Sequence, residues 1–346
     1  MKRLVIIGGG FAGSYIAKEL QNEYKITLID RKNYFEFTPG VPRTLTQPEH
    51  AKAIQISHRK YLKNVDIEVK EVRKIGRNYV FAGKKKINFD YLVICTGSEY
   101  HSPFKEKNMI ISARSKELLE KNKELLKAKN IMIVGGGLVG VEIAGEIIQR
   151  CKGKKITIVH AHDTLLERNN YRSQKHAERF LKRNGVNIIY GEKIVKNKGK
   201  IFFSDKGRVF TPDLVLICTG ISPNYYLIQN SFKNSLDEKK FFKINSFLQF
   251  DDYDNIFAAG DITNFREEKT AQNAQRQAKI VVKNLKRKKL GKPLVKYNST
   301  KTPLVISLGS YDGIFEYKNF VITGLIPGIL KLIIERREML RRNLGF

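Results

Sequence analysis

Two stretches of the chain are near copies of each other, and they decide the fold. Residues 4–13 read LVIIGGGFAG, and residues 131–140 read IMIVGGGLVG. Each opens with four apolar residues, which is typical of a strand buried on both faces of a parallel sheet. Each continues into a helical pattern and a second apolar strand, and a second pair of copies reads YLVICTG at residues 91–97 and LVLICTG at residues 214–220. Duplication of one strand–helix–strand plan predicts two related α/β domains.

The composition of the 346-residue chain agrees with two folded domains, at roughly 150 residues for each. Apolar residues make up 42% of the chain and charged residues 28%, which argues against disorder. The three cysteines are too few for a secreted scaffold built on disulfides. The first strand directly follows Met1–Arg3, so we expect no cleavable signal peptide, and Lys2 argues against N-myristoylation. No apolar stretch approaches the ~20 residues that span a bilayer.

The charge balance is strongly basic. The chain has 64 Lys and Arg residues against 34 Asp and Glu residues, a net charge of +30. Such an excess favours acidic partners: nucleic acid, anionic lipid or phosphorylated small molecules. No zinc-finger pattern, aromatic RNA-binding signature or helix–turn–helix pattern accompanies the charge, which argues against nucleic acid. We expect no metal site.

Each Gly-rich stretch has the spacing of a dinucleotide-binding turn between a strand and a helix. In the first copy Gly8 allows the tight turn, Gly10 lets a pyrophosphate approach the backbone, and Gly13 allows close packing of the helix on the strand. The helix N-terminus adds partial positive charge. Asp30 ends the second strand, about 20 residues further on, where a carboxylate accepts hydrogen bonds from ribose hydroxyls. These residues predict a dinucleotide site.

The second copy has the same three glycines, Gly135, Gly137 and Gly140, but no acid at the end of its second strand. His160 stands there instead. A carboxylate at this position repels the 2′-phosphate of NADPH and favours NADH. Its absence predicts that NADPH is used at least appreciably. The alternative is that His160 is a solvated loop residue without a role in binding.

The combined motifs resemble those of the two-dinucleotide-binding-domain flavoprotein superfamily over essentially the whole chain. Within it the sequence is especially similar to type II NADH:quinone dehydrogenases and their shorter apoptosis-inducing-factor-2-like, ferroptosis-suppressor branch. The segments that carry the resemblance, besides the two fingerprints, are Thr38-Pro39, CTGS at 95–98, GVEIAGE at 140–146, NIFAAGD at 255–261, AQNA at 271–274 and SLGSYDG at 307–313.

This resemblance implies the fold and the division of the chain. We expect an FAD-binding domain made of residues 1–103 and 241–300, with an NAD(P)H-binding domain of residues 104–240 inserted in it. Both are expected to be Rossmann-like, with a three-layer ββα architecture. Between each fingerprint and its Thr-Gly strand, alternating patterns predict a small antiparallel insertion. We expect its strands at residues 66–72, 78–81 and 86–89 in the first copy, and at residues 187–190, 200–203 and 208–210 in the second.

The last part of the chain is expected to contain a helix over residues 270–289, then a C-terminal segment, residues 301–346, with a strand over 304–308 and a final helix from residue 327. That helix is amphipathic and basic, since Ile326, Ile329, Leu330, Ile333, Leu340 and Leu344 recur at helical spacing among Lys331, Arg336, Arg337, Arg341 and Arg342. Such a helix can lie in an anionic membrane interface. The alternative is ordinary packing on its own domain or on a partner subunit. A second basic cluster, residues 283–292, is expected to be a solvated helix end.

The resemblance also implies FAD as cofactor, NADH or NADPH as substrate, and the residues that hold them. The residues implied for FAD are Gly8, Gly10, Phe11, Ala12, Gly13, Asp30, Arg31, Thr38, Pro39, Thr96, Gly97, Gly260, Asp261, Ala271 and Gln272. Those implied for NAD(P)H are Gly135, Gly137, Leu138, Val139, Gly140, Glu142, His160, Thr219 and Gly220.

Two polar side chains are implied in the chemistry. Glu142 would lie near the nicotinamide, although a solvated first-turn carboxylate favoured by the helix dipole is the alternative. Gln272 would meet a quinone, since quinone-reducing relatives carry an Ala-Gln-x-Ala-x-Gln-Gln helix start; here Arg276 replaces one glutamine. The alternative is an exposed polar helix face. Arg43 stands where many bacterial relatives have an acid, and it is interpreted either as a solvated loop residue or as a cation that stabilises a reduced quinone.

The cysteines bear on the choice of acceptor. Cys95 and Cys218 lie in buried strands, where a thiol behaves as a small apolar group, and Cys151 ends a helix. No cysteine pair follows the first fingerprint, which argues against disulfide reduction and against sulfide:quinone chemistry. A persulfide role for Cys151 is a minor alternative.

The sequence therefore favours an FAD-dependent NAD(P)H:quinone oxidoreductase, cytoplasmic or peripheral on the cytoplasmic face of a membrane. The first alternative is a soluble reductase of a ferredoxin-type or rubredoxin-type carrier. A basic nucleic-acid-binding flavoprotein is the least favoured. A homodimer is left open.

Overall fold

In the computed structural model, which describes residues 1–99 and 111–345, the first Gly-rich stretch lies between a central strand and a helix. Strand β1 (Arg3–Ile7) ends at the turn, helix α1 (Phe11–Leu20) begins there, and β2 (Lys25–Asp30) runs parallel to β1. The register pairs Ile7 with Ile29. The end of β2 therefore lies beside the turn, and this brings Asp30 to the glycines.

The remainder of the N-terminal part adds two more parallel strands, two small antiparallel sheets and short helices. Its strands are β3 (Tyr34–Glu36), β4 (Gln55–Ser57), β5 (Val65–Val69), β6 (Val72–Ile75), β7 (Tyr79–Ala82), β8 (Lys85–Asn88), β9 (Tyr91–Ile94) and β10 (Ser98–Glu99). Its helices are α2 (Val41–Thr44), α3 (Ala51–Ile54) and α4 (His58–Tyr61), with single 3-10 turns at Thr38–Gly40 and Pro48–His50.

The second Gly-rich stretch repeats the plan. Its elements are α5 (Ile111–Lys127), β11 (Asn130–Val134), α6 (Leu138–Arg150), β12 (Lys155–Val159), α7 (Tyr171–Arg183), β13 (Asn187–Ile189), β14 (Ile194–Lys198), β15 (Ile201–Ser204), β16 (Val209–Phe210), β17 (Leu214–Ile217), β18 (Ser222–Pro223) and α8 (Tyr226–Ser231). The parallel sheet has the order β13-β12-β11-β17, and β14, β15 and β16 form a separate antiparallel sheet.

The chain then returns to the first sheet. Strand β19 (Ile256–Ala258) pairs with β9, which gives the parallel order β19-β9-β1-β2-β5, and α9 (Ala271–Lys289) packs on α1. The strands β20 (Leu304–Ser307), β21 (Gly313–Tyr317) and β22 (Phe320–Thr323) form an antiparallel sheet against α10 (Leu325–Asn343). The expected domain boundary at residues 103 and 104 lies outside the described residues, and the exact domain limits stay a prediction.

The fold is thus mixed α/β with two parallel-sheet, Rossmann-like cores, as predicted. The helix expected over residues 270–289 is α9, whose N-cap residue Thr270 accepts a hydrogen bond from the Asn273 backbone at 3.3 Å. The strand expected at residues 304–308 is β20, and α10 begins two residues before the expected start at residue 327. Among the described residues, no helix is long and apolar enough to cross a membrane.

One expectation was wrong in the same way in both copies. Residues 66–72 and 187–190 were expected in the small antiparallel sheets, but most of them form β5 and β13, the parallel edge strands of the two main sheets. An edge strand has a strand neighbour on one side only, and β5 is half-exposed along its length. Its mixed pattern therefore resembles that of an antiparallel strand. The antiparallel sheets are built from residues 72–88 and 194–210 instead.

A two-stranded ribbon joins the two halves. Strands β10 and β18 follow the two Cys-Thr-Gly turns and pair in antiparallel fashion, with Ser98 opposite Pro223. Asn224 donates a side-chain hydrogen bond to the Thr96 carbonyl at 2.7 Å, and its own carbonyl accepts one from the Thr96 hydroxyl at 3.3 Å. The two equivalent turns therefore meet at the boundary between the halves.

Candidate active site

In the first Gly-rich turn, one glycine has free space where a side chain would lie, and the other glycines have none. Gly8 has φ of +101°, and a Cβ added there would lie 2.2 Å from the Cys95 carbonyl oxygen. A Cβ on Gly13 would lie 1.9 Å from the Gly8 carbonyl oxygen. A Cβ on Gly10 would meet nothing within 4 Å. Two glycines are thus needed by the fold itself, while Gly10 opens the N-terminus of α1 to a ligand.

The second turn repeats this division. Gly135 has φ of +108°, and an added Cβ would lie 2.4 Å from the Cys218 carbonyl oxygen. A Cβ on Gly140 would lie 2.0 Å from the Gly135 carbonyl oxygen, whereas Gly137 is open. Both helix starts therefore have the geometry of a pyrophosphate site.

Asp30 is held at the first turn. Its carboxylate accepts hydrogen bonds from the Gly9 backbone at 2.6 Å and from the Lys32 backbone at 3.0 Å. The buried His58 ring lies behind it, with Nε2 at 3.8 Å from Asp30 Oδ2. Burial works to raise the pKa of Asp30, but His58 and Lys32 outweigh burial and hold the pKa below its ordinary value. Asp30 is therefore an anion fixed by the backbone, and sequence reasoning did not identify His58.

A cavity of about 880 Å³ is lined by this turn, by the Cys-Thr-Gly turn at residues 95–97 and by the start of α9. Its volume lies within the roughly 300–1,000 Å³ of ligand pockets. Every residue implied for FAD lines it except Gly13, which packs on the Gly8 backbone. From the group implied for NAD(P)H, Leu138, Val139 and Glu142 line the same cavity, and the others do not. A cavity of this volume, lined by an open helix N-terminus and a fixed carboxylate, fits FAD.

The late Ala-Gly-Asp segment is tied to both neighbouring elements. Ser98 donates a hydrogen bond from its hydroxyl to Asp261 Oδ2 at 2.6 Å. The Gln277 side-chain oxygen accepts hydrogen bonds from the Gly260 backbone at 2.7 Å and from the Thr263 hydroxyl at 3.2 Å. Gln277 is buried in α9, so this helix fixes the backbone that lines the cavity. Its place in the Ala-Gln-x-Ala-x-x-Gln pattern was the only signal for it in the sequence.

Glu142 is not a solvated first-turn carboxylate, because only 7% of it is exposed. It accepts a hydrogen bond from the Ser307 backbone at 3.2 Å and forms an ion pair with Lys331. Lys331 comes from α10 and lines the cavity, as does Glu142. A fixed carboxylate and a cation therefore face the cavity together. Sequence reasoning placed Lys331 on the polar side of an amphipathic helix and missed this pairing.

The helix start at residues 271–277 divides its polar residues between the cavity and the surface. Gln272 lines the cavity, and so does Gln275, which donates a hydrogen bond to Glu338 at 3.1 Å. Arg276 points elsewhere and donates to the carbonyls of Asn298 and Thr300. The replacement of a glutamine by Arg276 therefore leaves the cavity lining unchanged.

Arg43 is neither solvated nor at the cavity. Its side chain is 13% exposed and lies 3.6 Å from Glu146, which also pairs with Arg150 at 3.2 Å. Its neighbours Val41 and Pro42 line the cavity instead. The solvated-loop interpretation of Arg43 was wrong, and its position gives no support to contact with a quinone.

His160 is also not a solvated loop residue, since it is 5% exposed. Both of its ring nitrogens lie within hydrogen-bond distance of the backbone, one at Gly136 and one at Thr164. His160 therefore presents no free ring nitrogen to a ligand.

All three cysteines are buried thiols, which was predicted for Cys95 and Cys218 but not for Cys151. Burial raises the pKa of Cys95 to about 12, and it raises the pKa values of Cys218 and Cys151 as well. A thiol with a raised pKa stays protonated and poorly nucleophilic at neutral pH. Among the described residues, no group of His, Cys, Asp and Glu could hold a metal ion.

Comparisons with known proteins show the family of the chain and agree with its fold. The family profile described as "Pyridine nucleotide-disulphide oxidoreductase" matches residues 2–278. Apoptosis-inducing factor homolog A of Dictyostelium discoideum is 34% identical, over 95% of this chain and 88% of its own. Ferroptosis suppressor protein 1 of Taeniopygia guttata is 29% identical, over 95% and 92%. The solved structure of NDH2 from Plasmodium falciparum in complex with NADH superposes with a TM-score of 0.84 at 15% identity, over 99% of this chain and 97% of that one.

Proposed function

Because the chain belongs to the pyridine nucleotide-disulphide oxidoreductase family, and is an FAD-dependent oxidoreductase that uses NADH or NADPH, we propose that it passes electrons to a quinone. The observation that carries the proposal is the mixed lining of the cavity. Gln272 lines it together with the apolar residues Val41, Leu304 and Ile334. This lining suits a flat, largely apolar acceptor with polar carbonyl oxygens.

The residues of the first turn are proposed to hold FAD. Backbone N–H groups at the open start of α1 would receive the pyrophosphate, and Asp30 would accept hydrogen bonds from the ribose. Asp261 would serve the ribityl and pyrophosphate region. When bound, FAD supplies a ring nitrogen that accepts hydride from NAD(P)H. The protein then has to bind and orient FAD and NAD(P)H and to exclude water from the site.

The start of α6 is proposed to hold NAD(P)H through Gly137, with Glu142 and Lys331 beside the nicotinamide. The ion pair fixes both side chains, so Lys331 can donate and Glu142 can accept a directed hydrogen bond with a bound ligand. Because His160 carries no carboxylate that would repel a 2′-phosphate, we expect NADPH to be used at least appreciably. A preference for NADH above about a hundredfold in kcat/KM would contradict this expectation.

The acceptor is tested in two half-reactions. We expect the purified flavoprotein to bleach anaerobically with NAD(P)H and to regain its colour on addition of a quinone analogue. Gln272→Ala should slow the second step by about tenfold and leave the first unchanged. The exposed Gln229→Ala is the matched control and should change neither. Bleaching followed by reoxidation only with a ferredoxin or rubredoxin would contradict the quinone and favour a carrier protein.

We further propose that the protein binds an anionic membrane surface through α10. Five apolar residues of this helix and Leu344 after it are exposed: Ile326 is 71% exposed and Ile333 54%, and Leu325, Ile329, Leu340 and Leu344 are exposed as well. Monomeric soluble proteins rarely expose apolar side chains so close together. The buried side of α10 carries the charged residues Glu335 and Arg342 beside Pro327, Gly328 and Met339. The exposed apolar side lies among the exposed cations Arg336, Arg337 and Arg341, as in helices that lie in a membrane interface.

The membrane proposal is tested with point variants, since truncation of α10 would also remove Lys331 from the cavity. Replacement of Ile326, Ile329 and Ile333 by serine should abolish co-sedimentation with phosphatidylserine vesicles and leave flavin reduction intact. The matched control replaces three exposed leucines elsewhere, Leu119, Leu126 and Leu290, by serine. Unchanged sedimentation of the isoleucine variant would contradict the proposal.

A further inference from the structure

The two Gly-rich turns are held by different residues at the same position of the repeated motif. In the first turn the Gly9 backbone N–H donates to Asp30 Oδ2 at 2.6 Å. In the second turn the equivalent N–H of Gly136 donates to His160 Nδ1 at 3.0 Å. The middle glycine of each turn thus has its N–H satisfied by the side chain that ends the second strand. The imidazole replaces the carboxylate as hydrogen-bond acceptor.

This contact defines the state of the ring. Since Nδ1 accepts a hydrogen bond, the proton lies on Nε2, which donates to the Thr164 carbonyl at 3.0 Å. The ring therefore has to be the neutral Nε2–H form. A protonated ring would place an N–H on Nδ1, directly against the N–H of Gly136.

The ring also packs on the turn. A Cβ added to Gly136 would lie 3.1 Å from the His160 ring and 2.4 Å from Leu165. The next residue, Leu166, has φ of +52° and donates its backbone N–H to the Gly136 carbonyl at 3.0 Å. Both polar groups of the Gly136 backbone are thus bound by the segment that follows β12. This segment therefore fixes the backbone of Gly136, the residue before the open Gly137.

We propose that His160 is a positioning residue for NAD(P)H, whose neutral ring holds the second Gly-rich turn in its binding geometry, so that protonation of His160 weakens nucleotide binding. His160 does not contact the ribose in this proposal. It acts through the Gly136 backbone, in the place where the first domain uses a carboxylate. The inference rests on the proposed placement of NAD(P)H at the start of α6.

The charges around the ring agree with a neutral imidazole. Burial lowers the pKa of His160, and His162 lowers it further, whereas Glu167 at 3.5 Å and the Thr164 carbonyl oppose these effects. The net shift is downward. Since the folded protein holds fewer protons on His160 than a free histidine would, the neutral form is complete above the ordinary value of about 6.5. It is lost only as the pH falls through the lowered value.

The test measures binding rather than turnover. The probe is NAD⁺, because it cannot reduce the flavin and lacks the 2′-phosphate, which titrates near pH 6. The dissociation constant for the FAD-loaded protein is measured by calorimetry over a series from about pH 8 down to about pH 4, so that the series extends well below the ordinary histidine pKa. We expect the wild type to bind about tenfold more weakly at the acid end of the series, since one buried N–H loses its acceptor.

Two variants separate the roles of the ring. His160→Asn keeps an acceptor that does not titrate, so it should bind NAD⁺ as the wild type does at pH 8 and lose most of the pH dependence. His160→Leu removes the acceptor, so it should bind about tenfold more weakly at both ends of the pH series while keeping its FAD. If His160→Leu does not fold, the pH comparison with His160→Asn decides.

His162→Asn is the matched control, because His162 lies two positions away and is mostly exposed. It should keep the acid-induced loss of binding. The proposal is overturned if His162→Asn removes that loss, if His160→Asn retains it, or if the wild type shows none. Flavin reduction of the wild type by NAD(P)H is measured separately: its absence would overturn the proposed function, and the inference with it. Normal reduction with binding that does not depend on His160 would overturn the inference alone.

Discussion

At the scale of single residues, the site depends on buried ion pairs between distant parts of the chain. Glu142 and Lys331 are separated by 189 positions in the sequence and meet at the cavity. Arg342, also from α10, is buried over the Phe35 ring at 3.5 Å and donates to the Ser14 hydroxyl at 2.9 Å. Nothing in the local pattern of α10 distinguishes these two cations from the exposed ones. Long-range pairing of this kind could not be read from the sequence.

Replacement of Lys331 by methionine should impair the site strongly. The substitution keeps the apolar stem and leaves the buried Glu142 carboxylate without its cation, which costs about 2 kcal/mol or more. We expect the rate of flavin reduction by NAD(P)H to fall at least tenfold, with FAD content unchanged. Arg336→Met, an exposed cation of the same helix, is the control for stopped-flow measurement. Equal rates in both variants would contradict a role of Lys331 in the site.

The cysteines give a second prediction at this scale. Since burial raises the pKa of all three thiols, each stays protonated well above pH 8 and reacts slowly with alkylating agents. We expect iodoacetamide at about pH 8 to label the native protein negligibly and the unfolded protein at Cys95, Cys151 and Cys218, by mass spectrometry. Cys151→Ser should retain full NAD(P)H-dependent turnover. Rapid labelling of native Cys151 would revive the persulfide alternative.

At the scale of elements, the sequence predicted the strands and turns whose residue pattern follows from burial on both faces or from close contact with backbone. The central strands β1 and β11 are buried on both faces, and the glycines after them are required sterically, so both fingerprints were predictable. The edge strands β5 and β13 were misplaced because exposure on one side gives them the pattern of a different sheet type. The residue pattern of a half-exposed strand does not determine which strand it pairs with, because the pairing depends on the arrangement of the whole sheet.

The two kinds of glycine in the second turn should respond differently to alanine. Gly137→Ala meets no protein atom, so we expect a melting temperature close to the wild type and a dissociation constant for NAD⁺ raised about tenfold. Gly140→Ala forces its Cβ against the Gly135 carbonyl, which should destabilise the protein by at least about 2 kcal/mol. Thermal unfolding and calorimetry check both. A stable Gly140→Ala protein would contradict the packing described for α6.

At the scale of the whole molecule, the net charge of +30 includes two basic regions whose surroundings differ. In the basic cluster at residues 283–292, Lys286 pairs with Glu23 at 2.8 Å and Lys288 with Asp254 at 3.0 Å. These contacts favour the interpretation of a solvated helix end that is partly neutralised by its own domain. The exposed cations of α10 lie beside exposed apolar residues instead, and this combination is what an anionic interface recognises.

The salt dependence of vesicle binding should reflect this combination. We expect co-sedimentation with phosphatidylserine vesicles to weaken as salt screens the cations, with a residual affinity from the apolar residues. Neutral phosphatidylcholine vesicles should bind at that residual level at any ionic strength. Sedimentation assays over a salt series check this. Complete loss of binding at high salt would show that Ile326 and its neighbours do not enter the lipid.

The ribbon of β10 and β18 has a consequence for engineering. Because Ser98–Glu99 and Ser222–Pro223 lie side by side, the intervening part of the chain leaves and re-enters the first half at one place. It is attached as a cassette with adjacent ends. Exchange of this cassette for that of a relative with another nucleotide preference therefore has to match the ribbon, the face towards the cavity and the remaining contacts between the two parts, such as Arg43 with Glu146 and His176 with Asp312. We expect the coenzyme preference to move with the exchanged cassette.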